Sequence, residues 1–358
     1  MSSTPDLEIP FHRFIDETGE VVQKLPAFAA DSHDLVALYR AMVLTRIFDE
    51  RAVNLQRTGR LGTYASSLGQ EAVGVGVAAA MQDLDVLLPS FREQGAMLWR
   101  GVTMAEILQY WGGDERGSDF SEAASDFPIC IPVGTHFPHA VGVAFALKQQ
   151  KVDAAAVVIA GDGATSRGDF YEAMNIAGLW RLPAVFVINN NQWAISVSRS
   201  RQTASQTLAQ KSVAAGILGL QVDGNDVVAV RQSVKEALER ARNNGVATVI
   251  EAITYRLTDH TTADDASRYR SDQEVSEHWQ YEPVRRLRQY LEKQHEWSAE
   301  DEETLQKQVL VDTEDAVQVY LDNAAPKVES MFDHLFKKLP EVLARQREHI
   351  INRAGKDG

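Results

Sequence analysis

Two short apolar runs, Ala154–Ala160 and Ala184–Ile188, each stop abruptly at polar residues, and few folds accommodate that pattern. The first ends at Gly161-Asp162-Gly163, the second at Asn189-Asn190-Asn191. Between them runs a helical pattern, roughly Asp169–Trp180, closed off by Pro183. Strand, helix and strand of this size make a βαβ unit, and a βαβ unit implies a parallel sheet. In an open parallel sheet, ligands bind at the carboxyl ends of the strands. The Gly-Asp-Gly turn and the Asn run stand at those ends.

Their chemistry points to a metal-bound phosphate. Gly161 and Gly163 permit a sharp turn and a close approach of ligand to backbone. Asp162 offers a hard anionic oxygen, and Asn191 a neutral amide oxygen at the end of the next strand. One carboxylate, one amide oxygen and a backbone carbonyl suit Mg²⁺, which draws its other ligands from water and phosphate. The helix that opens after Gly163 aims free N–H groups at the same place, which favours an anion. Gly-Asp-Gly alone is also an ordinary turn. The Asn run on the very next strand is what favours a Mg²⁺-bound phosphate ester or diphosphate.

Bulk properties exclude several classes. The 358 residues carry 36 Lys and Arg against 50 Asp and Glu, a net charge of −14, with no basic block. That balance disfavours nucleic acid and anionic membrane as partners. Cys130 is the single cysteine, so no internal disulfide exists, as is usual in a reducing compartment. It reads as a buried inert thiol rather than a nucleophile. No apolar run approaches the roughly 20 residues of a membrane helix, and the opening MSSTPDLEIPFHRF has neither signal-peptide nor transit-peptide character. A soluble, cytoplasmic, bacterial protein is expected.

The run GDGATSRGDFYEAMNIAGLWRLPAVFVINNNQWAIS, with its Asn pair about 30 residues after Gly-Asp-Gly, resembles the thiamine-diphosphate fingerprint. It is similar to the α subunit of the E1 component of 2-oxo acid dehydrogenase complexes, and the resemblance extends from about Leu35 to about Gln346. Among these, it looks nearest to the pyruvate-specific chains of the two-subunit type. The resemblance implies an α/β fold: a parallel-sheet thiamine-diphosphate-binding module with helical N- and C-terminal extensions. The expected organisation is an N-terminal arm at 1–31, a thiamine-diphosphate and Mg²⁺ domain at 32–276, and a helical extension at 277–358.

It also implies roles for particular residues. Asp162, the Asn191 oxygen and the Trp193 carbonyl would hold Mg²⁺. Arg92 and Arg256 would take diphosphate oxygens, the planar guanidinium fork being suited to phosphate. Phe91, Val133, Gly161, Gly163, Ala164, Ala194 and Ile195 would line the cofactor site, with Phe91 replacing a family Tyr at the cost of one hydroxyl. His260 would contact the cofactor and transfer a proton to the acyl adduct or the lipoyl acceptor, work that suits an imidazole titrating near neutrality. Tyr64, within GTYASSLGQEA beside Gln70 and Glu71, would shape the substrate pocket. His136 and His139 stand where the family shows Gln, and read as loop or core histidines.

Elsewhere, Asp16–Val22 suggests a small hairpin. A helix capped by Ser32 or Asp34 should run to about Arg57 and end at Gly59, with Leu35, Leu38, Met42 and Phe48 on one face. Gly59–Met81 reads as a Gly-rich turn and a small-residue helix, packed either internally or against another subunit. Val86–Gly101 reads as strand, turn and helix, and Gly112–Phe127 as a surface loop. Phe127–Leu147 reads as an extended segment, a turn at Gly134 and a helix. Ser196–Gly219 is expected to be a loop followed by a small-residue segment. Leu220–Val227 is a strand, Asp223–Asp226 a turn and cap, and a helix follows to about Asn243, stopped by Gly245. Thr248–Tyr255 is a further strand. Leu257–Val275 has no apolar face and reads as a functional loop without regular structure. It resembles a family phosphorylation loop in which Thr261 and Ser271 take the serine positions. The charged, helical end should fray from Asn352 to Gly358.

Thiamine diphosphate supplies a carbanion that attacks a ketone carbon and lets a 2-oxo acid lose CO₂. The family activates it with a glutamate from a second α/β module, and this sequence shows none. The resemblance therefore implies a separate β subunit, an α2β2 heterotetramer with the active site at the α/β interface, and a lipoyl-bearing E2 acyltransferase as acceptor. Pyruvate is the expected substrate. Branched-chain 2-oxo acids and acetoin stay open on the same scaffold, as do a Mg²⁺ phosphohydrolase using Asp162 and a non-catalytic cofactor-binding subunit.

Overall fold

The computed structural model describes residues 8–333 and 335–357. The first seven residues of the expected arm, and Gly358 at the end expected to fray, lie outside the described residues. The chain divides into two compact units, 1–317 and 318–358.

The first unit is built on β1 (Phe11–His12), α1 (Ser32–Arg57), α2 (Glu71–Ala78), β2 (Val86–Leu88), α3 (Gln94–Trp99), α4 (Met104–Trp111), α5 (His136–Gln150), β3 (Ala156–Gly161), α6 (Gly168–Leu179), β4 (Ala184–Asn190), the ribbon strands β5 (Trp193–Ala194) and β6 (Val197–Ser198), α7 (Arg199–Gln202), β7 (Leu218–Asp223), α8 (Val227–Asn244), β8 (Thr248–Ile253), α9 (Asp272–His278), α10 (Pro283–Lys293) and most of α11 (Ala299–Asp322). The second unit holds the end of α11, then α12 (Ser330–Asp333) and α13 (Glu341–Asp357).

Six strands form one parallel sheet in the order β1-β7-β8-β4-β3-β2. Its central strands are buried and mostly apolar because both faces are covered, with Asn189, Asn190, Thr248 and Glu251 as the polar exceptions. Val86, Leu88, Ala156, Val158, Phe186 and Ile188 pack on one side against Phe137 and Val141 of α5 and Phe170 and Met174 of α6. Leu87, Val157, Ile159, Val185 and Val187 pack on the other against Val73 and Val77 of α2 and Val230 and Val234 of α8. A third cluster joins α1, α10 and α11 through Leu38, Met42, Leu287, Leu291 and Val309. The α/β class and the parallel sheet thus follow the sequence.

The small-residue helix packs internally. A Cβ on Gly74 would lie 3.1 Å from the Ala96 nitrogen of α3, and one on Gly76 would lie 2.8 Å from the Val230 side chain of α8. Residues 8–31, read as an arm, put β1 on the sheet edge, with Phe11 opposite Gln221, and an Ile15–Val21 bridge closes the small hairpin. Asp226 fastens this segment. Its Oδ2 accepts from the backbone of Phe14 (2.7 Å) and Ile15 (2.9 Å), while its Oδ1 caps α8 through Val228 (3.0 Å) and Ala229 (3.3 Å).

Several local expectations need correction. Asp31, not Ser32 or Asp34, caps α1, accepting from the His33 amide at 2.9 Å. Met104–Trp111, unassigned from sequence, is a helix fixed by a reciprocal Thr103–Glu106 cap. β7 begins at Leu218 and β8 ends at Ile253. The 257–275 segment contains a 3₁₀ turn at Ala266–Arg268 and α9, whose first turn is capped by Ser271 accepting from the Glu274 amide at 3.2 Å. The last helix continues to Asp357 rather than fraying from Asn352. Among the described residues, no helix is long and apolar enough to cross a membrane.

Asp226→Ala removes a helix cap and strands the buried Ile15 amide and the half-buried Phe14 amide. It should lower the unfolding free energy by about 3 kcal/mol, read as a shifted urea midpoint with an unchanged slope.

Candidate functional site

Four adjacent strands discharge into one cleft. After β2 the chain turns through Ser90, Phe91, Arg92 and Glu93; β3 delivers Gly161 to Ala164; β4 delivers the Asn run and the β5–β6 ribbon; beyond β8 stand Arg256 and His260. The cleft has a volume of about 200 Å³, and its wall includes Gln70, Phe91, Arg92, Glu93, Val133, His136, Asp162, Asn191, Trp193, Ala194, Ile195 and His260. A Cβ on Gly161 would meet no heavy atom within 4 Å, so the space beside that turn is open. A Cβ on Gly163 would sit 2.6 Å from that of Ala194, so glycine lets the ribbon close over the turn.

The strand alternation divides the Asn run. Asn189 and Asn191 point to one side, where their Nδ2 groups donate to Gln70 Oε1 at 3.1 and 2.9 Å. Asn190 points to the other, where it donates to Glu251 Oε1 at 2.7 Å. Asn191 Oδ1 accepts from the Trp193 amide at 3.2 Å. Asp162 is 1% exposed, and burial pushes its carboxyl up to about 6 despite a 2.6 Å bond donated by Gln202 Nε2.

Two buried guanidiniums stand nearby. Arg92 donates to the Ser66 carbonyl at 2.7 Å, to the His260 carbonyl, and to His260 Nδ1 at 2.9 Å. Arg256 donates to the carbonyls of Ile195 (2.8 Å), Thr258 (3.3 Å) and Trp193 (3.4 Å), with His260 Nδ1 at 3.3 Å. The Tyr269 hydroxyl lies 2.7 Å from the same guanidinium. Burial and the neighbouring Arg256 lower Arg92 to about 10. Ile195 turns the ribbon with φ of 55°, a left-handed conformation costly for a β-branched residue.

His260 differs from its expectation. Both arginines point N–H groups at Nδ1, so that nitrogen is the acceptor and the proton sits on Nε2. Burial, Arg92 and Arg256 together push its pKa down to about 3. With these partners it is a neutral imidazole, not one titrating near neutrality.

Tyr64 stands off the cleft wall. Its hydroxyl donates to the buried Asp49 at 3.0 Å, and Asp49 also accepts from the Ser67 amide at 2.8 Å. The pair shapes the loop whose Ser66 carbonyl receives Arg92. Glu71 likewise pairs with Arg46 at 2.8 Å outside the cleft. His136 lines the cleft, with Nε2 donating to the Ile159 carbonyl at 2.9 Å, while His139 is exposed and beside Phe127. The Cys130 thiol, half-buried, donates to the Pro132 carbonyl at 3.4 Å, and burial raises its pKa. Glu93 and Gln202 escaped the sequence reading. Glu93 directly follows Arg92, which is a local signal; Gln202 lies 40 residues from Asp162 and has none.

Asp162, Asn191 and Trp193 supply one carboxylate, one amide oxygen and one carbonyl. Among the described residues no group of three or more His, Cys, Asp or Glu could cage a metal. The donor set would suit a hard cation that completes its shell with phosphate oxygens, and two arginines that bond no carboxylate among the described residues would suit an anion.

Residues 39–329 match the family model described as dehydrogenase E1 component. The chain is 39% identical over 337 residues to the pyruvate dehydrogenase E1 component subunit alpha of Staphylococcus aureus strain COL, covering 94% of this chain and 91% of that one. It is 38% identical, with the same coverage, to the protein of that description from Staphylococcus epidermidis.

His260 should stay uncharged from pH 8 to pH 5, with its proton on Nε2, in ¹⁵N-histidine NMR spectra. Arg92→Met should raise its pKa, and a midpoint above pH 5 in the parent would contradict this geometry. A second outcome concerns Glu93, pushed up to about 7 by burial. Its carboxyl stays protonated in the fold where the unfolded chain, with its ordinary value of 4.5, ionises. Stability is therefore lost as pH rises between those values. Glu93→Gln should melt above the parent at pH 8, and the gap should close near the lower value.

Proposed function

Because the chain belongs to the dehydrogenase E1 component family, we propose that it is the α subunit of a pyruvate dehydrogenase E1. It would decarboxylate pyruvate with thiamine diphosphate and Mg²⁺ and pass the acetyl group to a lipoyl group on an E2 acyltransferase. The observation that carries this reading is the cleft itself, which Asp162, Asn191, Trp193 and Arg92 line, with Arg256 buried behind it and donating to the Trp193 carbonyl. The relatives named above are pyruvate dehydrogenase subunits, which favours pyruvate.

Bound thiamine diphosphate supplies the carbon nucleophile and electron sink for decarboxylation. The chain's residues do the rest. Arg92 and Arg256 would take the diphosphate oxygens, and Asp162, the Asn191 oxygen and the Trp193 carbonyl would hold Mg²⁺. Phe91, Val133, Ala164, Ala194 and Ile195 would exclude water from the ring portion, beside the open space at Gly161, and Gly163 lets the ribbon close over the turn. His260, anchored at Nδ1, presents Nε2–H as a donor. An anion between the two arginines offsets the charges that hold its pKa down, bringing it towards proton-transfer range.

The rim supports a partner. Ile131, Val133, Ile195 and Val197 are 43–55% exposed around the cleft, an apolar border of the kind protein interfaces cover. A β subunit seated there, in an α2β2 tetramer, would contribute the activating glutamate. A cytoplasmic location belongs to this reading, and the bacterial relatives are compatible with it.

The test is co-expression with the β partner, followed by decarboxylation assays with pyruvate and with 2-oxoisovalerate, using an artificial electron acceptor. Activity should need the partner, favour pyruvate, and fall about a hundredfold or more in Asp162→Ala. An intact complex inactive towards both acids would overturn the reading.

A further inference from the structure

Two glutamines grip the side chains assigned to the metal, and they do so with opposite hydrogen-bonding roles. Gln70, immediately before α2, is 2% exposed, and its Oε1 accepts from Nδ2 of both Asn189 and Asn191. The reverse orientation would set its NH₂ against two NH₂ groups, so the acceptor role is determined by the partners. Both asparagines are thereby locked with nitrogen towards Gln70. The Asn191 oxygen is left on the far side, where it receives the Trp193 amide and keeps a lone pair. Gln70 Nε2 is buried without a partner, so no bond depends on it.

Gln202, the last residue of α7, plays the inverse part. Its Nε2 donates to Asp162 Oδ2 at 2.6 Å and lies 3.5 Å from the Val197 carbonyl. Turned over, its oxygen would face a carboxylate and a carbonyl. The bond sets the rotation of the Asp162 carboxylate. α7 is itself anchored: the Arg199 amide donates to the Gln192 carbonyl at 2.9 Å, and the Arg199 guanidinium to the carbonyls of Ser205 (2.5 Å) and Gln206 (2.7 Å). The segment from Asn191 to Gln202 therefore carries two proposed ligands and the clamp on the third.

We infer that Gln70 and Gln202 are positioning residues for the metal site, Gln70 as the acceptor that turns the Asn191 oxygen outward and Gln202 as the donor that orients the Asp162 carboxylate. This rests on the metal–diphosphate reading of the cleft. Side chains that orient metal ligands influence affinity without touching the ion. The opposite polarities separate orientation from mere packing. Glutamate at position 70 keeps an acceptor for both asparagines. Glutamate at position 202 puts a carboxylate against Asp162, and either the two repel or one takes a proton.

Mn²⁺ is titrated into the α/β complex with thiamine diphosphate present, and free Mn²⁺ is read by electron paramagnetic resonance alongside the melting temperature. Q202E and Q70L should weaken Mn²⁺ binding about 10- to 100-fold, whereas Q70E should stay within about threefold of the parent. If Q70L does not fold, the contrast between the isosteric Q70E and Q202E still decides. Equal losses in Q70E and Q202E, or no loss in any variant, overturn the inference. A parent complex that binds thiamine diphosphate but retains no Mn²⁺ overturns the underlying metal reading instead.

Discussion

The register of β4 between β3 and β8 decides where every polar group of the cleft lies. Gly161 stands opposite Asn189, and Asn189 opposite Ala252. That alignment sets Asp162 beside the Asn run and brings the chain after β8 back over both. Because side chains alternate, a slip of one residue would send Asn189 and Asn191 towards Glu251 and Asn190 towards Gln70. The apolar alternation of Val185, Phe186, Val187 and Ile188 between two packed helical layers opposes any such slip. The site is thus held in place by the core beneath it.

The arginines show how that scaffold stores charge. Neither Arg92 nor Arg256 bonds directly to a carboxylate among the described ion pairs; their side-chain partners are carbonyls, a tyrosine hydroxyl and one imidazole nitrogen. Carbonyl oxygens satisfy N–H geometry without cancelling charge. In a chain of net charge −14, these two positive groups are buried together; burial lowers the pKa of both, and Arg256 lowers that of Arg92 further. An anion placed between them would relieve their repulsion.

The sheet and the polar residues at its strand ends were legible in the sequence because each rests on local pattern: apolar runs, glycines, an Asn run. The cap at Asp226 and the stop at Gly245 were legible for the same reason. Met104–Trp111 was missed although Thr103 and Glu106 spell a capping box, since the apolar pattern there is only two turns long. The 257–275 segment lacks an apolar face, but Ser271 and Glu274 start a helix without one. The charge state of His260 could not be read, because it depends on Arg92, 168 residues away. Tyr64 illustrates the converse: a residue in the expected stretch whose hydroxyl serves Asp49 rather than the cleft.

The edge strand β1 has a temporal consequence. Phe11 and His12 pair with Gln221 and Val222, and Asp226 holds Phe14 and Ile15. On the ribosome, the opening segment emerges more than two hundred residues before its partner exists. β2, β3 and β4 come off in spatial order and can assemble as they appear, but the far edge of the sheet waits for β7 and β8. Synthesis at about 5–20 residues per second leaves that edge unpaired for roughly ten seconds or more, a window in which a chaperone or a neighbouring nascent chain has access to the strand's open backbone.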